Sequence, residues 1–105
     1  MDNCVYIGNK PFMNYVTAVV MQFTQGHDEI KIKARGKYTG RAIDVAEISK
    51  KKFVLQFGVY TKSVIIDSTE MPGRKDDGKP ILVSDIEITL ARKWKILNLI
   101  TTLQK

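Results

Sequence analysis

Residues 30–42, IKIKARGKYTGRA, alternate apolar and cationic side chains and then reach two glycines. The apolar positions are Ile30, Ile32 and Ala34. The cationic positions are Lys31, Lys33, Arg35 and Lys37. Alternation with a period of two is typical of a strand that has one buried face and one solvated face. Because the solvated face is cationic throughout, it is either a sheet face that happens to be basic or a surface for a polyanion.

A short strand and a long helix precede this stretch. Residues 3–8 (NCVYIG) have the composition of a strand that ends at a glycine. Residues 11–25 carry apolar side chains three and four positions apart, as on one side of a helix. Pro11 suits the first helical turn, where its missing N–H costs nothing, and Gly26 suits the end. The alternating strand then spans residues 27–37.

A second helix and two long strands follow. Residues 40–53 (GRAIDVAEISKKKF) are typical of a helix, and residues 57–70 and 81–92 are rich in the Val, Ile and Thr that strands favour. The residues expected on one side of the helix are Ala42, Ile43, Ala46 and Lys50. Pro-Gly and Asp-Gly pairs between the two strands indicate turns. Strands of about a dozen residues span roughly 40 Å, so their hairpin is expected to project.

The predicted order is therefore β-α-β-α-β-β, which indicates an α+β protein. We expect a two-layer sandwich with two helices on one face of a four-stranded mixed sheet and a long projecting hairpin between the third and fourth strands. Residues 1–93 are predicted to form a single domain. Residues 94–105 (WKILNLITTLQK) stand apart as a hydrophobic extension. They could form a short amphipathic helix or a tail that binds a partner.

Charge points to a polyanionic partner. The chain has 105 residues, of which 17 are Lys or Arg and 11 are Asp or Glu, so its formal charge is +6. Such an excess favours nucleic acid first and an anionic membrane second. The N-terminus lacks a basic region followed by an apolar run, and residues 11–25 are too short and too polar to span a bilayer. We expect a cytoplasmic protein with no membrane partner.

No pattern of an enzyme or of a cofactor site is recognisable. The chain has one His and one Cys, so a Cys–His nucleophile pair is a poor interpretation, and no disulfide within the chain is possible. The acidic residues lack the spacing of a metal-binding loop, and no glycine-rich loop ends in Gly-Lys-Ser or Gly-Lys-Thr. We expect neither catalysis nor a cofactor.

The basic residues converge if the first two strands are parallel neighbours. Lys10 follows the first strand, and Arg35, Lys37 and Arg41 lie where the second strand leads into the second helix. The carboxyl ends of parallel neighbours lie side by side, and each leads here to a helix N-terminus, which offers free N–H groups to phosphate oxygens. A second basic group lies at the tip of the hairpin: Arg74, Lys75 and Lys79.

Two motifs also resemble a known family. The segments IGNKPFMNYV and EIKIKARGKYTGRAIDVAEI are similar to those of the Alba family of archaeal chromatin and RNA-binding proteins, and the resemblance covers residues 3–93. It implies a homodimer that coats and compacts duplex DNA without sequence preference, is associated with the chromosome and also binds RNA. It further implies that the hairpin arms reach along the duplex.

The resemblance also assigns roles to residues. It implies nucleic-acid contacts for residues at the first helix and the basic strand: Lys10, Tyr15, Lys33, Arg35 and Lys37. The family's acetylated lysine is Asn9 here, so Lys10 is the nearest substitute. Phe53 matches an aromatic residue that packs neighbouring dimers together on DNA. An alternative function is that of an assembly subunit in an RNA-processing particle, whose tail binds another protein.

Overall fold

The computed structural model of the protein describes residues 3–73 and 79–93, with the backbone alone for residues 53–57. The elements are β1 (Cys4–Tyr6), α1 (Phe12–Thr24), β2 (Glu29–Arg35), a 3₁₀ turn (Gly36–Tyr38), α2 (Thr39–Phe57), β3 (Tyr60–Met71) and β4 (Ile81–Ala91). This succession confirms the predicted β-α-β-α-β-β order.

The four strands form one mixed sheet in the order β1-β2-β4-β3. β1 and β2 are parallel, with Tyr6 opposite Lys33, whereas β4 is antiparallel to both of its neighbours. The connection between the parallel strands is α1. The predicted neighbouring arrangement of the first two strands is therefore confirmed, and both strand-to-helix turns lie at the same end of the sheet.

One face of the sheet packs against both helices. Ile30 and Ile32 of β2 are completely buried, in one cluster with Val19 of α1 and Val45 of α2. Burial of an aliphatic side chain of this size stabilises the fold by about 1.5–3 kcal/mol. The alternate side chains of β2 consequently point to the other face of the sheet, which we call the outer face.

The second helix is longer than predicted, and its buried side is different. It continues to Phe57, because the first residue that interrupts it is Gly58, whose φ of +62° is a conformation that favours glycine. The buried residues of its first part are Ala42, Val45, Ala46 and Ser49. Ile43, expected on the same side as Ala42 and Ala46, is 46% exposed and lies at the edge of the buried side.

The β3–β4 hairpin extends past the end of β2, as predicted. Arg35, the last residue of β2, pairs with Asp85, so residues 81–84 pair with β3 alone. Four residues at about 3.4 Å each carry the hairpin roughly 14 Å beyond β2. Ile81 and Leu82 in this part are 49% and 73% exposed. The hairpin therefore projects as an arm with apolar side chains on its surface.

Arg92 connects the end of β4 to the end of α1. Its side chain is 6% exposed, and its Nε donates a hydrogen bond to Asp28 Oδ1 at 3.1 Å. Its two other nitrogens donate to the carbonyls of Phe23, at 3.2 Å, and Gly26, at 2.9 Å. Carbonyls at a helix C-terminus lack partners within the helix, and a cation there complements the helix dipole. Arg92 therefore fixes α1 on the sheet.

Substitution of Arg92 by methionine, which keeps an unbranched aliphatic chain, is expected to lower the free energy of unfolding by about 2–3 kcal/mol, because hydrogen bonds of a buried charged group are lost. The measurement is urea unfolding followed by circular dichroism at one protein concentration. The control is Lys62→Met, which breaks the exposed ion pair with Glu29 and should cost at most about 1 kcal/mol. Equal losses in the two variants would contradict the role of Arg92.

Candidate functional site

The loop after β1 and the start of α2 meet at the carboxyl ends of the parallel strands. Arg41 Nη1 donates a hydrogen bond to the carbonyl of Gly8 at 2.6 Å, and the Arg41 guanidinium lies 5.6 Å from the centre of the Tyr15 ring. The exposed side chain of Lys10 extends from the same loop. The structure thus brings together Lys10, Tyr15 and Arg41, which are far apart in the sequence.

The buried side chain of Tyr15 fixes the backbone of this loop. Its hydroxyl oxygen accepts hydrogen bonds from the backbone N–H groups of Gly8, at 2.9 Å, and Lys10, at 3.0 Å. The residue is only 6% exposed. Although the resemblance implies a contact with nucleic acid, its position here is beneath the loop, where it fixes the backbone from which Lys10 extends.

The turn after β2 presents further cations at the same end. Gly36 has a φ of +62°, so the chain leaves the strand at Arg35 and enters the 3₁₀ turn at once. Lys37 is exposed, with its Nζ 5.3 Å from the centre of the Tyr38 ring. The Thr39 hydroxyl donates to the Gly36 carbonyl at 3.0 Å and closes the turn. Arg35 and Lys37 therefore flank a tight, hydrogen-bonded corner.

On the outer face, β4 supplies carboxylates to the cations of β2. Lys33 Nζ lies 3.5 Å from Glu87 Oε1, and Arg35 Nε donates to Asp85 Oδ1 at 2.7 Å. These are the residues directly opposite each other in the antiparallel register. The strand is therefore cationic by itself, but two of its cations have partners within the sheet. Only the register, and not the sequence of β2, could have indicated this.

These contacts change two pKa values. Hydrogen bonds from Arg35 and then from Thr69 lower the pKa of Asp85, so the carboxylate contributes its full stabilisation above the usual Asp range and loses it as the pH falls through the lowered value. The negative charge of Cys4, and then that of Tyr6, when these groups are deprotonated, raises the pKa of Lys33. The hydrogen bond from Lys33 to Glu87 raises this pKa further.

A cleft of about 430 Å³ opens beside these ion pairs. Tyr6, which is 63% exposed, belongs to its lining and has Lys33 Nζ 5.8 Å from its ring centre. The complete lining consists of Tyr6, Ile7, Lys33, Ala34, Arg35, Asp85 and Ile86. Sequence reasoning missed Tyr6, although its alternation with buried Val5 and Ile7 indicates that it points outward.

The remaining predicted residues do not join this group. Lys79 is exposed and lies on the hairpin, six positions before Asp85. In extended chain this separation places it roughly 20 Å from Asp85. Arg74, Lys75 and the side chain of Phe53 lie outside the described residues, as do residues 94–105. Within residues 3–73 and 79–93, no three His, Cys, Asp or Glu side chains are grouped as metal ligands. Neither described helix is long and apolar enough to cross a membrane.

Comparison with known proteins shows extensive similarity. The Alba family model matches residues 3–65. The DNA/RNA-binding protein Alba of Methanoculleus marisnigri is 52% identical over 85% of this chain and 92% of its own. That of Methanococcus maripaludis is 46% identical over 86% and 98%. The structure of Alba from Thermoplasma volcanium has a TM-score of 0.74 and 43% identity, covering 86% of this chain and all of the other.

Substitution of Tyr15 by phenylalanine tests the loop geometry. The variant leaves two backbone N–H groups without their acceptor, so the free energy of unfolding should fall by about 1–3 kcal/mol. Hydrogen exchange at the amides of Gly8 and Lys10 should accelerate more than elsewhere. Tyr60→Phe, at a partly exposed ring, is the control and should change neither quantity. Unchanged exchange at these two amides in Tyr15→Phe would contradict the positioning role.

Proposed function

The chain belongs to the Alba family, and on that premise we propose that it binds DNA and RNA through their phosphates and coats and compacts duplex DNA as a homodimer. The observation that carries the proposal is the junction of the two strand-to-helix turns, where Arg41 bonds to the loop that bears Lys10. We propose direct phosphate contacts from Lys10, Lys33, Arg35, Lys37 and Arg41, with Arg74, Lys75 and Lys79 reaching along the duplex from the hairpin.

Phosphate fits the geometry of this junction. α1 begins after Pro11 with no side-chain cap, so the N–H groups of Phe12 and Met13 remain available to an anion, whereas that of Asn14 donates to the Pro11 carbonyl. Lys10 lies directly before that turn and adds a mobile positive charge. Arg41 and Tyr15 keep the loop in place without an induced change. Because phosphate is common to all sequences, such contacts give affinity without base specificity.

The ion pairs of the outer face modulate this binding. A phosphate that reaches Arg35 or Lys33 must share it with Asp85 or Glu87. Both pairs are accessible to solvent, where an ion pair contributes at most about 1 kcal/mol to stability. Exchange of a carboxylate for a phosphate therefore costs little free energy. The carboxylates keep the two cations extended along the sheet in the absence of ligand.

An apolar groove between α2 and the hairpin supports the homodimer. The groove has a volume of about 250 Å³ and is lined by Ile43, Ala46, Glu47, Thr61, Val64, Ile66, Ile86 and Ile88. Three of these aliphatic side chains are 46–73% exposed, namely Ile43, Val64 and Ile66. A contiguous apolar surface of this kind marks an interaction site, and a second copy presents the same surface. In the proposed dimer these two surfaces face each other.

The proposal extends to the whole chain and its surroundings. Residues 1–93 would form the nucleic-acid-binding domain, and residues 94–105 an extension from it. Phe53 would link neighbouring dimers along DNA. The protein would act in the cytoplasm, associated with the chromosome, as a binding protein without enzymatic activity.

Dependence on salt tests phosphate binding. If each dimer neutralises six to ten phosphates, its affinity for a short duplex should fall roughly 10³- to 10⁵-fold between about 50 and 200 mM salt. Lys10→Ala should reduce the slope of log affinity against log salt by about two per dimer, one for each subunit. Fluorescence anisotropy with duplexes of unrelated sequence measures both quantities.

The control for this experiment is Lys62→Ala. Lys62 is an exposed lysine paired with Glu29, at the opposite end of β2 from Arg35, so its removal changes the net charge equally but should leave the slope unchanged. Salt-independent binding, or a strong preference for one base sequence, would overturn the proposed function.

Neighbouring residues of β3 test the dimer. Ile66→Glu places a charge in the apolar groove and should convert the dimer into a monomer in sedimentation at micromolar concentration. Ile65→Glu is the control, because Ile65 is 54% exposed but pairs with Glu87 on the outer face, and this variant should remain dimeric. Wild-type protein that sediments as a stable monomer would refute the proposed assembly.

A further inference from the structure

The cleft beside Tyr6 adjoins the loop that bears Lys10, although Lys10 is not part of its lining. Ile7 lines the cleft, and the chain continues directly through Gly8 to Lys10. On the neighbouring strand, Arg35 lines the cleft and the corner at Gly36 follows it. A nucleic-acid strand whose phosphates lie along this end of the sheet therefore passes the mouth of the cleft.

The lining combines two chemical features of a site for a nucleotide, an aromatic ring and cations. Tyr6 offers an exposed aromatic ring, which can stack on a base. Arg35 and Lys33 offer cations for a phosphate. Ile7, Ala34 and Ile86 also line the cleft, but they belong to the buried core and leave little side-chain surface for a base. β1 is the edge strand of the sheet, so Tyr6 is approached from outside without displacing another strand. A volume of about 430 Å³ lies in the range of small-ligand sites.

We propose that this cleft binds one unpaired nucleotide of a nucleic-acid strand, with its base stacked on Tyr6 and its phosphate held by Arg35. The inference rests on the proposed function and deepens it. Bases within a duplex are paired and stacked, and their removal from the stack costs free energy, whereas a bulged or single-stranded base is already available. The protein should therefore prefer nucleic acid with an unpaired position to a continuous duplex.

Stacking on Tyr6 is compatible with binding that ignores sequence. Every base has an aromatic face, so an aromatic side chain accepts all four bases with similar strength. The ion pair between Arg35 and Asp85 holds the guanidinium at the cleft before a ligand arrives. Asp85 also accepts a hydrogen bond from Thr69, so both of its oxygens are engaged and it acts here as a support for Arg35.

The experiment compares two probes that differ by one nucleotide. The first is a short continuous duplex, and the second is the same duplex with one bulged adenine analogue whose fluorescence falls when it stacks. Wild-type protein should bind the bulged probe more tightly and quench its emission. Tyr6→Ala should weaken binding of the bulged probe about 5- to 100-fold, abolish the quenching and leave the affinity for the continuous duplex unchanged.

Two variants control the result. Tyr6→Trp keeps an aromatic face and should retain both the preference and the quenching. Tyr60→Ala removes another partly exposed tyrosine, outside the cleft, and should behave as wild type. Thermal unfolding of each variant shows whether the fold is preserved. We expect it to be preserved in the Tyr6 variants, because the Tyr6 side chain is exposed and contributes little to the core.

The proposal is overturned if wild-type protein binds both probes equally, if the bulged analogue is not quenched, or if Tyr6→Ala weakens both probes to the same extent. Failure of the proposed function gives a different result. In that case the continuous duplex binds weakly or independently of salt, whatever residue occupies position 6. The two failures are therefore distinguishable with the same pair of probes.

Discussion

The parallel pairing of β1 with β2 is the constraint on which the rest of the structure depends. It places the carboxyl ends of both strands at one end of the sheet, from which α1 and α2 begin. The buried hydroxyl of Tyr15 and the guanidinium of Arg41 then fix the intervening loop by hydrogen bonds to its backbone. Cations from two distant segments consequently share one surface, on a backbone that has little conformational entropy left to lose.

On the outer face, the neighbouring strand β4 changes the charge that β2 presents to solvent. β2 carries positive charge at every outward position up to Arg35 except Glu29, but β4 places Glu87 and Asp85 opposite two of those positions. This part of the surface therefore carries two pairs of opposite charges, with Tyr6 beside them on the edge strand, and not a uniform positive field.

Most of the fold could be predicted because its signals are local. The alternation in residues 30–35 and the spacing in residues 12–23 identify the buried faces without any tertiary information. The end of α2 could not be predicted in this way, because residues 54–57 contain Val, Leu and Phe and resemble a strand. The helix continues through them and stops only at Gly58. The role of Tyr6 and the ion pairs of β2 depend on the register between strands, which a single sequence does not reveal.

The pairing of Arg35 with Asp85 has a consequence for the lifetime of a complex. A lone surface cation gains free energy when it meets a phosphate, because small ions are released into solution. In the proposed complex part of that gain is cancelled, since Asp85 is a carboxylate that stays attached to the protein and competes for the same guanidinium. The proposed contact with phosphate is weakened from within the molecule. A coat assembled from the proposed contacts would be dense and still be cleared by any process that must travel along the nucleic acid.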